Sequence, residues 1–256
     1  MILLSMDYPE PSSTGSGPPT TSFVRDADGG LAGWYLKRTL GEARYSVEPD
    51  PADGDKTNPS HTVLMLHCTN ASFAFWRYDP FEPGPRTLLC WEWKANRVPM
   101  EPPAKGLRLA PGQAALTQEA ASPIQVIIGF ARLPRPVFLH YTWNGVNGLG
   151  SSWKNTQNVN LKDLPRDIPD GLRRFPLLSA FDKLTLEYPH IVIESGGPKE
   201  GWVAESRKIR DDYQRFYPNE EVPRIVLIGV QPTTFGAPLG SNVGEASIRN
   251  LRFITP

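Results

Sequence analysis

IQVIIGFARLPRPVFLHYTWN, residues 124–144, decides how this chain folds. Two apolar runs of β-type residues, Ile124–Phe130 and Val137–Trp143, flank a proline-rich turn. Short runs of this kind bounded by turn residues are strands. The second run ends in Tyr141, Trp143 and Asn144, which places aromatic and amide groups at a strand end. Polar side chains at such a place can meet solvent and a ligand.

Similar runs recur on both sides at turn-bounded spacing: Trp34–Leu36, Arg44–Val47, Thr62–Cys68, Ser72–Arg77, Thr87–Ala95, His190–Glu194, Arg224–Val230 and Ala246–Ile254. The chain carries 27 prolines and 22 glycines, scattered without a period. That excludes collagen and favours a turn-rich all-β fold. Its 256 residues fit one large β-sandwich. Met1–Ser22 is rich in Pro, Ser, Gly and Thr and reads as a disordered tail, so residues 23–256 are expected to form a single domain. Asp50–Asn58 reads as a surface turn, Pro99–Ser122 as a loop, and Gly145–Asp182 as the longest irregular region. One segment breaks the β pattern. In EGWVAESRKIRDDYQRFYP, Val203, Ser206, Ile209, Tyr213 and Phe216 recur at three- and four-residue steps, which predicts a helix over Val203–Phe216. It joins IVIES to RIVLIGV, as a crossover or as a helix lying over one edge of a sandwich.

Charge and cysteine content narrow the function. Lys plus Arg and Asp plus Glu number 27 each, so no long-range field draws nucleic acid or an anionic membrane. No apolar run approaches the ~20 residues of a membrane span. The N-terminus has no basic region ahead of its short apolar run, so as written the chain reads as cytoplasmic, and as exported if the true start lies upstream. Cys68 and Cys90 are too few for a disulfide scaffold and read as buried thiols.

The order of WEWK (Trp91–Lys94), FLHYTWN (Phe138–Asn144), ESGGPKEGW (Glu194–Trp202), RKIRDDYQRFY and IVLIGVQ resembles a bacterial domain-of-unknown-function family, number 3047, over roughly Phe23 to Phe253. The resemblance implies a jelly-roll-like β-sandwich, related in shape to carbohydrate-binding domains, with one peripheral helix. The family brings no established reaction. Two departures remove carboxylates. The segment before Ile124 reads LTQEAASP, with only Glu119 acidic, where the family usually carries paired aspartates. After Val230 the chain reads Gln231-Pro232-Thr233-Thr234-Phe235-Gly236, where the family usually carries an Asp-rich run.

Candidate site residues follow from strand alternation. Glu92 and Lys94 share one face of their strand, with Trp91 and Trp93 on the other. Glu92 is either an acid/base carboxylate or part of an exposed Glu–Lys face. As a catalyst it needs a second carboxylate about 5–9 Å away, and Glu194 is the candidate. Trp91, Trp93, Tyr141 and Trp143 form a sugar-stacking platform or fill the core. His140 and Thr142 lie opposite Tyr141 and Trp143, and His140 is a general base or a structural histidine. Asn144 donates and accepts hydrogen bonds, as a hydroxyl-rich ligand requires, or closes a turn with Gly145. His61 and His67 share a face without an evident third ligand, so no metal is expected, nor any cofactor. Nucleophile, dinucleotide and phosphate-loop motifs are missing from the sequence. The expected function is therefore binding of a saccharide or small polar ligand through Trp143, Asn144, Tyr141, Lys94 and Gln231. The alternative is a hydrolase or lyase acting through Glu92, His140 and Glu194.

Overall fold

The computed structural model describes residues 23–25, 31–50, 62–100, 121–160, 183–234 and 242–255, and every structural statement below concerns these. Met1–Ser22, read as a tail, His61 and most of Pro99–Ser122 lie outside them. In chain order the elements are β1 (Tyr35–Pro49), β2 (Thr62–Phe81), β3 (Leu88–Arg97), β4 (Ser122–Phe130), β5 (Val137–Asn144), β6 (Ser152–Asn160), β7 (Lys183–Ser195), β8 (Val203–Lys208), helix α1 (Ile209–Phe216), β9 (Ile225–Thr233) and β10 (Val243–Ile254).

The strands form one hydrogen-bonded path, β6-β7-β5-β4-β9-β2-β10-β3-β8, with β1 alongside β2. The path folds over itself at β2. The start of β2 pairs with β10 and its end with β9, while β1 accompanies both halves. The bend lies at Gly41 and Asn70, both at positive φ, where β1 also shifts register. A Cβ on Gly41 would overlap the Asn70 carbonyl, so only glycine fits this corner. The two arms then face each other. β3 and β5 are far apart along the path, yet the Trp91 and Tyr141 rings lie 5.5 Å apart and the Trp93 and Trp143 rings 5.7 Å. The fold is thus an all-β, jelly-roll-like sandwich with one short peripheral helix. Each large ring removed from water contributes about 1.5–3 kcal/mol, and each aromatic pair about 0.5–1.5 kcal/mol more.

The deciding stretch reads as continuously apolar because its strands are buried on both faces. Ile124, Val126, Ile128, Phe130, Leu139, Tyr141 and Trp143 point into the sandwich. Ile127 and Phe138 point outward and join Trp76, Leu184, Leu186 and Leu227 in a second cluster. Gly229 makes room for the Trp76 ring, which a Cβ at that position would overlap.

Three readings of the sequence need correcting. The helix over Val203–Phe216 is a strand, β8, followed by a helix of eight residues. β8 pairs with β3, with Val203, Glu205 and Arg207 half-buried and Ala204, Ser206 and Lys208 exposed. The ladder offered by β3 overrides the helical spacing, and only Ile209 and Tyr213 keep it as a buried stripe. Gly145–Asp182 is not irregular throughout. It contains β6, a polar strand at the end of the path that pairs with β7 alone. Its Ser, Lys, Asn and Gln residues carry little β preference. Finally, Cys90 is half-buried, not buried, with its sulfur 3.4 Å from Ser206 Oγ. Cys68 is buried, and both thiols are free. Among the described residues, no helix is long and apolar enough to cross a membrane.

Candidate functional site

Strand alternation sends His140 and Thr142 to the outer face of the larger arm. There β5 runs parallel to β7, which sets His140 beside His190, and β6 sets Trp153 on the other side of His190. The three rings stack: Trp153 and His190 at 4.8 Å and 7°, His190 and His140 at 4.3 Å and 32°. On the next row Gln125 of β4 lies opposite both Thr142 and Gln231. Gln125 Oε1 is 2.8 Å from His140 Nδ1, and Gln231 Nε2 donates to Ser72 Oγ at 3.3 Å. A polar row therefore crosses the sheet from β6 to β2.

The row is short of partners. His140 and His190 are each 5% exposed, Thr142 0% and Gln231 6%. Even so, His140 Nε2, His190 Nδ1, Thr142 Oγ1, Gln231 Oε1 and Trp153 Nε1 have no hydrogen-bond partner among the described residues. A buried polar atom left unsatisfied costs about 1–3 kcal/mol, so several on one face need an explanation. Burial holds both imidazoles neutral. It pushes His190 down to about 3 and His140 well below the usual histidine value, with His190 adding to the effect on His140. With the Gln125 oxygen facing Nδ1, that nitrogen carries the proton and Nε2 presents a bare lone pair.

A second polar cluster lies on the inner side, under the Gly196–Trp202 turn that carries the chain from β7 to β8. Glu194 sits opposite Trp143 and Glu205 opposite Trp91, so both carboxylates share the inward face of those tryptophans. Lys199 pairs with Glu194 and lies over the Trp143 ring. Arg207 holds Asp212 with two bonds of 2.6 and 3.0 Å and lies 5.8 Å from the Tyr141 ring centre. Burial, and then the nearby Glu194 charge, pushes Glu205 up to about 7 against the pull of Arg207 and Lys199. The Trp91 indole nitrogen has no hydrogen-bond partner among the described residues. The Trp93 indole lies against Glu205 without a hydrogen bond of good geometry.

The residues singled out in the sequence separate into three places. His140 and Gln231 lie on the outer row. Tyr141, Trp143 and Glu194 lie inside. Tyr141 and Trp143 are fully buried, so they are core and present no platform to solvent. Glu92 and Lys94 lie on the outward face of β3, away from Glu194. Glu92 accepts hydrogen bonds from Arg249 at 2.7 and 2.9 Å and from Asn250 at 3.0 Å. Arg249 also binds Asp50 and covers the Trp202 ring. Glu92 is thus an ion-paired strut and not the partner of Glu194. Asn144 closes a turn, its Oδ1 accepting from the Val146 and Asn147 amides at 2.8 and 2.7 Å. A shallow groove of about 290 Å3 on the same side as Lys94 is lined by Arg44, Met65, His67 and Glu245, and Glu245 is paired with His67 and Arg97. Among the described residues, no three His, Cys, Asp or Glu are placed to hold a metal ion.

Sequence reading did not single out Gln125, Trp153, His190 or Glu205. The alternation that placed His140 off the core applies equally to His190 in YPHIVIES. What local sequence does not carry is the β5–β7 register that brings the two rings together.

The chain is therefore a β-sandwich with buried polar groups on both sides of β5. No protein-family model matches it, and no curated protein matches it. Among solved structures it is similar to the enzymatically active domain of bacteriophage CBA120 tailspike protein 4, at 12% identity and a TM-score of 0.35, over 87% of this chain and 19% of that one. It thus spans about a fifth of that domain's chain. It is also similar to an endo-1,4-β-xylanase of Trichoderma reesei, at 10% identity and a TM-score of 0.36, over 84% of this chain and 96% of that one. A third is the xyloglucanase domain of NopAA from Sinorhizobium fredii in complex with cellobiose, at 7% identity and a TM-score of 0.29, over 87% of this chain and 99% of that one.

Proposed function

We propose that this sandwich binds an uncharged, hydroxyl-rich ligand of saccharide type on the outer row of its larger arm. The observation that carries the reading is the set of buried, unpartnered atoms on Thr142, His140, His190 and Gln231. Two of them, His140 Nε2 and Gln231 Oε1, are acceptors and call for ligand hydroxyls. Trp153 Nε1 is a donor, and a hydroxyl serves it equally. The row carries no formal charge, because burial keeps both imidazoles neutral. An ionic ligand would be desolvated there without a counter-charge, at high cost.

Thr142→Val removes one unpartnered hydroxyl at nearly constant shape, and His140→Phe removes a ring nitrogen while keeping a ring in the stack. Calorimetric titration with neutral cello-, xylo- and malto-oligosaccharides should show binding by the parent. Each variant should bind about tenfold more weakly, the loss of roughly one hydrogen bond. Thr142→Val should be at least as stable as the parent. A parent that binds none of the probes, or variants that bind as the parent does, would overturn the reading.

A further inference from the structure

We propose that Thr69, His67 and Glu245 form a nucleophile–base–carboxylate relay that hydrolyses a small carboxylic ester in the groove on the outer face of the smaller arm. The relay shares no residue with the saccharide row of the larger arm, so either reading can fail without the other.

Strand alternation and register build the relay. His67 and Thr69 are two apart on β2, so they share one face, and both are half-buried there. β10 sets Glu245 opposite His67, and β1 sets Arg44 on its other side. The two ring nitrogens of His67 then take different partners. Nδ1 lies 3.3 Å from Glu245 Oε1, and Nε2 lies 3.4 Å from Thr69 Oγ1. A carboxylate only accepts, so Nδ1 of the neutral ring donates to Glu245, and Nε2 is left to accept from the Thr69 hydroxyl. This wiring makes a hydroxyl nucleophilic, with a base on its proton and a third group fixing the tautomer and orientation of the base. Contacts of this length tighten when substrate is bound. Arg97 of β3 lies 3.7 Å from the same Glu245 oxygen.

A substrate can reach this relay, unlike the buried imidazoles of the other arm. The His67 and Glu245 side chains are 40% and 32% exposed, and both line the groove of about 290 Å3. Ligand sites span about 300–1,000 Å3, so the groove limits the ester to a short acyl chain. Met65 lines it as an apolar contact for that chain, and Arg44 and Asn96 line it with N–H donors for the oxyanion. Thr69 Oγ bonds to the acyl carbon as its proton moves to His67 Nε2. His67 passes that proton to the leaving alcohol as the ester C–O bond breaks. Water then bonds to the acyl carbon and gives a proton to Nε2, which returns it to Thr69 Oγ as the acyl–threonine bond breaks. The net change is ester plus water to acid plus alcohol.

The test uses the full chain with p-nitrophenyl acetate, p-nitrophenyl butyrate, acetylated xylo-oligosaccharides and diisopropyl fluorophosphate. Turnover of at least one ester is expected, with the phosphorylating probe attached to Thr69 in a peptide map. Thr69→Val removes the hydroxyl at nearly constant shape and should lower kcat about 100-fold or more, while Thr69→Ser should keep both turnover and labelling. Glu245 is a positioning residue that acts through His67. Glu245→Gln should lower kcat about tenfold or more with KM nearly unchanged, and Glu245→Asp should restore part of the rate. Melting curves establish that the variants fold. Ester hydrolysis that survives Thr69→Val would mark simple imidazole chemistry and overturn the proposal. So would a parent inert toward every ester, or a label carried by another residue.

Discussion

The two sides of β5 carry buried polar groups of opposite character. Outward lie His140 and Thr142, in a row without formal charge. Inward lie Tyr141 and Trp143, beside carboxylates compensated by Lys199 and Arg207. One physical cause acts on both. Removal from water disfavours whichever form is charged, so it strips the proton from an imidazole and keeps it on a carboxyl. Burial pushes His140 and His190 below the usual histidine value and Glu205 above the usual carboxylate value, and so favours the neutral form of each. The alternation of a single strand therefore separates two chemistries, and acid and alkali act on them from opposite ends.

The largest expected effect comes from acid. Both histidines have folded values below the unfolded value, so above about pH 6.5 neither state is protonated and their contribution is whole. As pH falls from there toward about 3, the unfolded chain takes up protons that the folded chain refuses. Each histidine then costs about 1.4 kcal/mol per pH unit, roughly 4 kcal/mol for the pair by pH 5. Urea unfolding at pH 7 and pH 5 measures this. His190→Phe should about halve the dependence, and an unchanged dependence would mean that the outer row tolerates charge.

A smaller effect comes from shape alone. Gly229→Ala places a Cβ into the Trp76 ring on the outer face, and overpacking of this kind costs about 1–3 kcal/mol. Chemical denaturation should show the loss at every pH. An equally stable variant would show that the second apolar cluster is loosely packed.

The smallest effect belongs to the inner side. Glu205 has a folded value above its unfolded one, so its contribution is whole below about pH 4.5 and is lost as pH rises toward 7. Glu205→Gln should leave stability at pH 4.5 nearly unchanged and raise the melting temperature slightly at pH 8. A lower melting temperature at pH 8 would show that the ionised carboxylate is structurally required.

Much of the sandwich was readable from local pattern. The apolar runs at Ile124–Phe130 and Val137–Trp143 are strands because both of their faces are buried. The Ile209–Tyr213 spacing is helical where, among the described residues, no strand pairs with that segment. What escaped depended on distant partners. Val203–Lys208 is a strand only because β3 lies beside it, and Ser152–Asn160 only because β7 does. The site divided in the same way. His140 was placed off the core by counting alternate residues. Pairing Glu92 with Glu194 failed because sequence does not show that Arg249 holds Glu92 on the far face of β3. Glu205 was hidden inside a segment whose helical spacing masked its inward direction.

The measurement that bears most directly on the two sides of β5 is a single NMR titration of the full chain from pH 4 to pH 9. It follows the imidazole nitrogens of His140 and His190 and the side-chain carboxyl carbon of Glu205. The expected result is two imidazoles that stay neutral down to pH 4 while the folded protein persists, and a Glu205 carboxyl that titrates near 7. Histidines that protonate near 6.5, or a Glu205 that titrates near 4.5, would contradict the account.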